Sequence, residues 1–348
     1  MNNKRKIMAC LLLILIVLAG CRSKDENAVW LFSEETLESA EQEDTVLIYL
    51  THSEEDGSYV DQMSYKFKTY LEEASGGAFH VEIYGDNTLG SVSESEYMLQ
   101  AGIIQMRIGS GPSNTIMLLN YPILTGLTIP ELMQAFQGDH LRMVMDEECL
   151  EKGVKILGIL QPAYRVLCSN VPINKVEDLQ NLKIRTAEFI ISEVYWESLG
   201  AEPVNIGKTE TFTALQQEIV DASADNSILQ IYSRQYYKHQ KYIIQTNHQI
   251  YLDPVYISKV FYESLSQLQQ EILQEAVAKT VEYTKASMNE RLAALQDEME
   301  AAGIQFIDLS EEEKERMNEI AYHDMKSILY ERFGEEQVNH VLQALQMD

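Results

Sequence analysis

Positive charge is scarce in this chain: 27 Lys and Arg stand against 54 Asp and Glu, a net charge of −27. Such a field repels phosphate backbones and anionic bilayers, which excludes nucleic acid or an acidic membrane surface as the main partner. Any anionic ligand needs a local positive site. Cysteine is scarce as well, with four residues and no CxxC or Cys/His spacing of a zinc site. The seven histidines (His52, His80, His140, His239, His248, His323, His340) are scattered, with no pair at metal-ligand spacing, so neither a metal nor a cofactor is expected. There is no G-x-S-x-G elbow, no P-loop and no G-x-G-x-x-G; "GSGPS" (109–113) lacks the third glycine. Acidic pairs abound, but they abound everywhere in so acidic a chain, and none stands out as an acid/base pair. The expectation is a protein that is not an enzyme.

No apolar run reaches the roughly 20 residues of a membrane span. The run Ile7–Leu18 is shorter, follows the basic residues Lys4, Arg5 and Lys6, and ends in Leu18-Ala19-Gly20-Cys21. That arrangement resembles a bacterial lipoprotein signal, in which residues 1–20 are removed and Cys21 becomes a lipid-modified N-terminus. An uncleaved N-terminal anchor is the alternative. Either way the chain is expected outside the cytoplasm, tethered to the outer face of the cytoplasmic membrane. Residues 21–44 are polar, acidic and aperiodic, a flexible tether. Cys149 and Cys168 remain, and two buried free thiols are expected rather than a disulfide.

The rest is globular in composition, 45% hydrophobic and 23% charged over 348 residues, long enough for two domains. "TVLIYL" (45–50) reads as a buried strand. Val60, Met63, Phe67, Leu71 and Ala74 then recur at helical spacing until Gly76-Gly77, and Phe79, Val81 and Ile83 alternate as a strand does. This β-α-β start predicts an α/β fold. "VKILGIL" (154–160), "RVLCSN" (165–170) and "LKIRT" (182–186) continue it. Thr186 is the expected N-cap of a helix through Leu199, closed by Gly200. Thr209 is expected to cap the next helix, with Phe212, Leu215 and Ile219 on one face. A third helix is expected from Ser227 through "YSRQYYKHQKY". Ser266 with Gln269 forms a capping box opening an apolar pattern to about Ala302, a helix long enough to brace two domains; two helices broken near Lys285–Asn289 are the alternative. Ser310 with Glu313 opens the last helical region.

The stretch "LKIRTAEFIISEVYWESLGAEPVNIGKTETFTALQQEIVDASADN" resembles the solute-binding proteins of tripartite ATP-independent periplasmic (TRAP) transporters. The match runs through Leu182-Lys183-Ile184-Arg185, Leu199-Gly200-Ala201, Pro203, Glu210, Ala214-Leu215-Gln216 and Val220-Asp221. "YYKHQKYIIQTNH", "YISKVFYESLSQLQQEILQEA", "TLG" (88–90) and "NYPIL" (120–124) extend the resemblance over roughly residues 45–340. It implies a two-lobe binding-protein fold with hinge strands and a long C-terminal helix shared between lobes. Residues 45–162 with 251–290 would form lobe I, and 163–250 with 291–348 lobe II.

The resemblance also implies a function: capture of an organic acid between the lobes and delivery to the small and large membrane subunits of a permease driven by an ion gradient. The binding protein is expected to be a monomer. In the family the arginine of L-K-x-R grips the ligand carboxylate; here that is Arg185, whose planar guanidinium suits bidentate hydrogen bonding. Arg165, in Tyr164-Arg165, matches a second family arginine. The family's D-G-x-E-N is Asp221-Ala222-Ser223-Ala224-Asp225 here, so Asp225 replaces an asparagine and Asn226 follows. Lys208 stands where many members place an aromatic; it either pairs with Asp225, adds a positive contact, or is a solvent lysine. Ser110, after "RIG", and His52 complete the expected ligand contacts. So polar a pocket favours a uronate or aldonate, with a C4-dicarboxylate next. A sensor presenting its closed form to a membrane receptor is the alternative role, and a surface hydrolase lacks a nucleophile motif.

Overall fold

The computed structural model describes residues 45–187 and 190–347. The lipoprotein signal, Cys21 and the tether lie outside the described residues. Among the described residues eleven strands form two sheets: β1 (Val46–Thr51), β2 (Phe79–Tyr84), β3 (Met106–Ile108), β4 (Val154–Ile159), β5 (Ala163–Ser169), β6 (Lys183–Thr186), β7 (Glu202–Asn205), β8 (Ala222–Ser227), β9 (Tyr242–Tyr251), β10 (Pro254–Ser258) and β11 (Gln305–Asp308). The first sheet has the order β2-β1-β3-β10-β4 and the second β11-β9-β5-β8-β6-β7. The chain therefore passes between sheets at β4–β5, returns at β9–β10, and adds β11 to the second sheet last.

The helix Tyr59–Ala74 starts where Ser58 accepts a hydrogen bond from the Asp61 backbone N–H (3.3 Å), and buries Val60, Met63, Phe67 and Leu71, the residues whose spacing announced it. The capping box at Ser266 is present, and one unbroken helix runs over Gln267–Ala301. Its 35 residues extend about 52 Å at 1.5 Å per residue. Ile272 and Val277 join an apolar cluster with Ile48 and Val81 of the first sheet and Phe67 of the helix packed on it, and the same cluster continues through Met288, Leu295 and Met299 to Ile231 and Ile243 at the second. The helix thus braces both sheets. Ser310 also caps as expected, accepting from the Glu313 N–H at 3.2 Å, and opens the helix Glu311–Phe333. The final helix Glu335–Met347 packs against Asn114–Leu119 and Asp139–Glu151, which lead into β4.

Three local expectations need correction. Thr186 is the last residue of β6, and the following helix is described from Ile190 to Ser198. Gly207, not Thr209, precedes the helix Lys208–Gln216; that helix ends before Ile219, which is 51% exposed. Ser227 does cap a helix, but it spans only Ile228–Ser233, because Gln235 takes a left-handed φ of 59° that no helix continues. Cys149 and Cys168 are free and fully buried, as expected, and burial pushes each thiol up to about 12.

Candidate ligand-binding site

In open α/β sheets ligands gather beyond the carboxyl ends of parallel strands, where the loops diverge. Strands β6 and β8 are parallel neighbours, and their carboxyl ends carry Arg185 and Asp225. Across the seam, the carboxyl end of β1 runs into the loop 52–58. The candidate site is where these ends meet.

Arg185 is 3% exposed. Its Nε donates to the Ile206 carbonyl at 2.9 Å, which anchors the guanidinium to the chain leaving β7. Among the described residues no carboxylate lies within ion-pair distance of it. Burial pulls its pKa below the ordinary arginine value and the Asp225 charge opposes that, but a guanidinium remains cationic in a protein.

Arg165 lies on β5 beside bulges in its pairing with both β8 and β9. Bulges re-aim side chains and recur beside binding sites. One of its terminal nitrogens donates to the Asp225 carbonyl (2.9 Å) and stands 3.6 Å from Asp225 Oδ1. Its guanidinium lies over the Tyr251 ring, 5.2 Å from the centroid, and its buried Nε has no hydrogen-bond partner among the described residues.

Asp225 adopts a left-handed φ of 65°. Its carboxylate accepts from Ser192 Oγ (2.7 and 2.8 Å) and from the Ala187 N–H (2.8 Å). It thereby orients Arg165 and fastens the turn after β6. Asn226 is fully buried; its Nδ2 donates to the Ala224 carbonyl (2.7 Å), and its Oδ1 accepts from Arg234 (2.7 Å).

Lys208 does not pair with Asp225. Its ammonium lies 2.9 Å from Glu55 Oε1 and donates to the Ser53 carbonyl at 2.6 Å, joining the second sheet's helix to the first sheet's loop. His52 is buried under that loop, with Nε2 3.3 Å from Asp61 Oδ1, and burial lowers its pKa. The Ser110 side chain is exposed, and its carbonyl accepts from Arg107 Nε (2.5 Å).

Four residues of this cluster escaped the sequence reading. Glu54, 6% exposed, accepts from Arg234 (2.7 Å), from the Tyr251 hydroxyl (3.3 Å) and from Gln230 (3.4 Å). Glu55 accepts from Arg234 Nε at 3.2 Å. Burial opposes ionisation of Glu54, but the Arg234 and Lys208 charges prevail and hold its pKa below the ordinary range. Asp253, between β9 and β10, is 5% exposed; burial and the neighbouring Glu54 charge push it up to about 8. The only signal for Glu54 and Glu55 was "SEED" (53–56) directly after a strand, lost in a chain with acids throughout. Arg234 was hidden within a tyrosine-rich stretch that reads only as part of a helix.

The loop Ser53–Glu55 is thus seated in the second sheet's positive cluster, and the two halves stand closed on each other. A separate cavity of about 280 Å³ is lined by Asp56, Tyr59, Gln62, Tyr232, Tyr237 and Arg291, among others, and shares no lining residue with the arginine cluster. Two sheets linked by crossing strands, braced by one long helix and meeting at buried arginines, have the architecture of a two-lobe binding protein.

Comparison with known proteins agrees. Residues 50–332 match the model of the bacterial extracellular solute-binding protein family 7 (DctP), and the chain belongs to that family, the solute-binding proteins of TRAP transporters. It is 26% identical over 250 residues to the 2,3-diketo-L-gulonate-binding periplasmic protein YiaO of Escherichia coli, covering 70% of this chain and 75% of that one. It is 26% identical over 289 residues to the C4-dicarboxylate-binding periplasmic protein DctP of Rhodobacter capsulatus, covering 80% and 85%. Among solved structures, a TRAP periplasmic solute-binding protein from Ochrobactrum anthropi, with its C-terminus bound in the ligand-binding pocket, superposes with a TM-score of 0.78 at 25% identity, covering 87% of this chain and 96% of that one. One from Haemophilus influenzae with bound L-gulonate has the same fold, with a TM-score of 0.76 at 22% identity and coverage of 87% and 99%. Proteins of this family bind and hand over solutes rather than transform them. Among the described residues no helix is long and apolar enough to cross a membrane, and no group of His, Cys, Asp or Glu is arranged to hold a metal ion.

Proposed function

We propose that this protein captures an organic acid between its lobes and delivers it to a TRAP permease's small and large membrane subunits, working as a monomer held at the outer face of the cytoplasmic membrane by lipid on Cys21. The observation that carries the reading is Arg185: a buried guanidinium on a rigid strand end, fixed through Nε, with no carboxylate partner of its own among the described residues. A buried cation is stable only when its charge is compensated, and an incoming carboxylate supplies that compensation. Arg165, with an unpartnered Nε beside it in the cluster, is the second contact. Tyr236, Tyr251 and Gln230 stand in the same cluster as neutral polar groups, which suits a hydroxylated sugar acid, a uronate or aldonate, before a C4-dicarboxylate. The names of the relatives that bind diketogulonate and C4-dicarboxylates support the same range. We assign β1–β4 and β10 to lobe I and β5–β9 and β11 to lobe II, with hinges at 159–163 and 251–254.

The test is a thermal-shift screen against uronates, aldonates, sialic acid, C4-dicarboxylates and 2-oxo acids, with neutral sugars as controls. Ligand at a hundred times its Kd adds about 2.7 kcal/mol of stability. A shift with one class of acid, lost in Arg185→Ala, is the expected result. Shifts with neutral sugars alone would refute acid capture.

A further inference from the structure

The organic-acid reading is narrowed by how the positive charges are already engaged. All three nitrogens of Arg234 are occupied, Nε by Glu55 (3.2 Å) and the two terminal nitrogens by Asn226 (2.7 Å) and Glu54 (2.7 Å). Lys208 is held by Glu55 and the Ser53 carbonyl. Among the described residues the cluster therefore contains four cations (Arg165, Arg185, Lys208, Arg234) and three resident carboxylates (Glu54, Glu55, Asp225), an excess of one positive charge. Asp253 adds little negative charge at neutral pH, since its pKa of about 8 leaves it mostly protonated. In a closed cleft, water no longer compensates a mismatch of charge.

We propose that Glu54 and Glu55 are specificity-determining residues that restrict this cleft to ligands with a single carboxylate, by occupying the two cations, Arg234 and Lys208, that would otherwise receive a second one. The inference rests on the acid-binding reading above. The terminal nitrogens of Arg185 and the Nε of Arg165, which have no partner among the described residues, take the one carboxylate, and the rest of the ligand meets neutral polar groups. A dicarboxylate would have to displace the Ser53–Glu55 loop or bring an uncompensated charge into a buried site.

The experiment is isothermal calorimetry on the intact protein with matched pairs that share a carbon skeleton: D-gluconate and D-glucarate, D-galacturonate and galactarate, butanoate and succinate. The monocarboxylate of at least one pair is expected to bind roughly 100-fold or more tightly than its dicarboxylate, as for a charge left unpaired in a buried site. The double change Glu54→Gln and Glu55→Gln keeps side-chain shape and removes both charges; it should narrow that ratio at least tenfold, mainly through tighter dicarboxylate binding. Should the double variant fold poorly, Glu55→Gln alone, at a half-buried position, should narrow the ratio in the same direction. A dicarboxylate bound as tightly as its partner by the unmodified protein, or a ratio unmoved in the folded variants, overturns this inference while leaving acid capture in place. Silence from every acid in the panel removes the acid reading, and this inference with it.

Discussion

Glu54 and Arg234 are separated by 180 positions in the chain and by 2.7 Å in the fold, one on the loop after β1 and the other just past the helix Ile228–Ser233. Both are largely buried, with side chains 8% and 10% exposed. The pair closes the seam between the two sheets, and the Tyr251 hydroxyl at the end of β9 steadies it from the hinge. Breaking a buried pair from one side leaves the other charge stranded, at about 3–5 kcal/mol. Arg234→Ala should therefore lower the urea midpoint clearly. Removal of the exposed Arg316–Glu177 pair should scarcely be felt. Equal effects from the two changes would show that the seam contributes no more than a surface contact.

Arg185→Ala should weaken binding of the acid found by the screen by about 2–5 kcal/mol, as for truncation of one partner of a buried charged pair. Arg185→Lys should lose much of the same energy, because an ammonium cannot reproduce the planar fork and cannot keep the Nε bond to Ile206. Titration calorimetry reads both, and unchanged affinity in either variant would remove Arg185 from the site.

The two seam acids should pull stability in opposite directions with pH. The folded pKa of Glu54 lies below its unfolded value, so its contribution is complete above about pH 4.5 and is lost as pH falls through the folded pKa. For Asp253 the folded pKa, about 8, lies above the unfolded 3.8, so its contribution is complete at low pH and declines as pH rises between those values. The steepest decline one group can cause is about 1.4 kcal/mol per pH unit. Urea midpoints measured from pH 3 to 9 should show Asp253→Asn gaining on the parent protein up to about pH 8 and levelling off beyond. A constant difference across that range would mean that Asp253 is ionised in the fold.

Cys149 and Cys168 should resist alkylation in the native protein at pH 8, since both are buried and their thiols titrate near 12. Peptide mapping after a native pulse of iodoacetamide should find both unmodified, and after denaturation both labelled. A Cys149–Cys168 peptide would contradict the free thiols seen here.

Much of the architecture could be read from local pattern. The helix Tyr59–Ala74 was legible from its apolar spacing and the terminating Gly76-Gly77, and the long helix from its capping box at Ser266 and its apolar spacing, because such signals act within a few residues of one another. The place of Arg185 at a strand end was legible for a related reason: its strand and the motif around it are contiguous in the chain. The misplaced starts at Thr186 and Thr209 are of another kind. A threonine before a periodic stretch is a sound capping signal, yet pairing of β6 with β7 and β8 drew Thr186 into a strand, and Gly207 supplied the turn before Lys208. The tyrosine-rich stretch after Ser227 was cut short by the left-handed Gln235, a conformation with no composition signal.

Charge and fold class were thus written in the order of residues, because each depends on neighbours in the chain or on composition alone. Which acids are buried was not. Of 54 carboxylates, the fold selects Glu54, Asp225 and Asp253 for burial at the seam, and the choice depends on loops that meet only after both sheets have formed. An acid in solvent and an acid facing Arg234 have the same letter in the sequence. What separates them is the loss of water around the second, and only the closing of the two lobes brings that about.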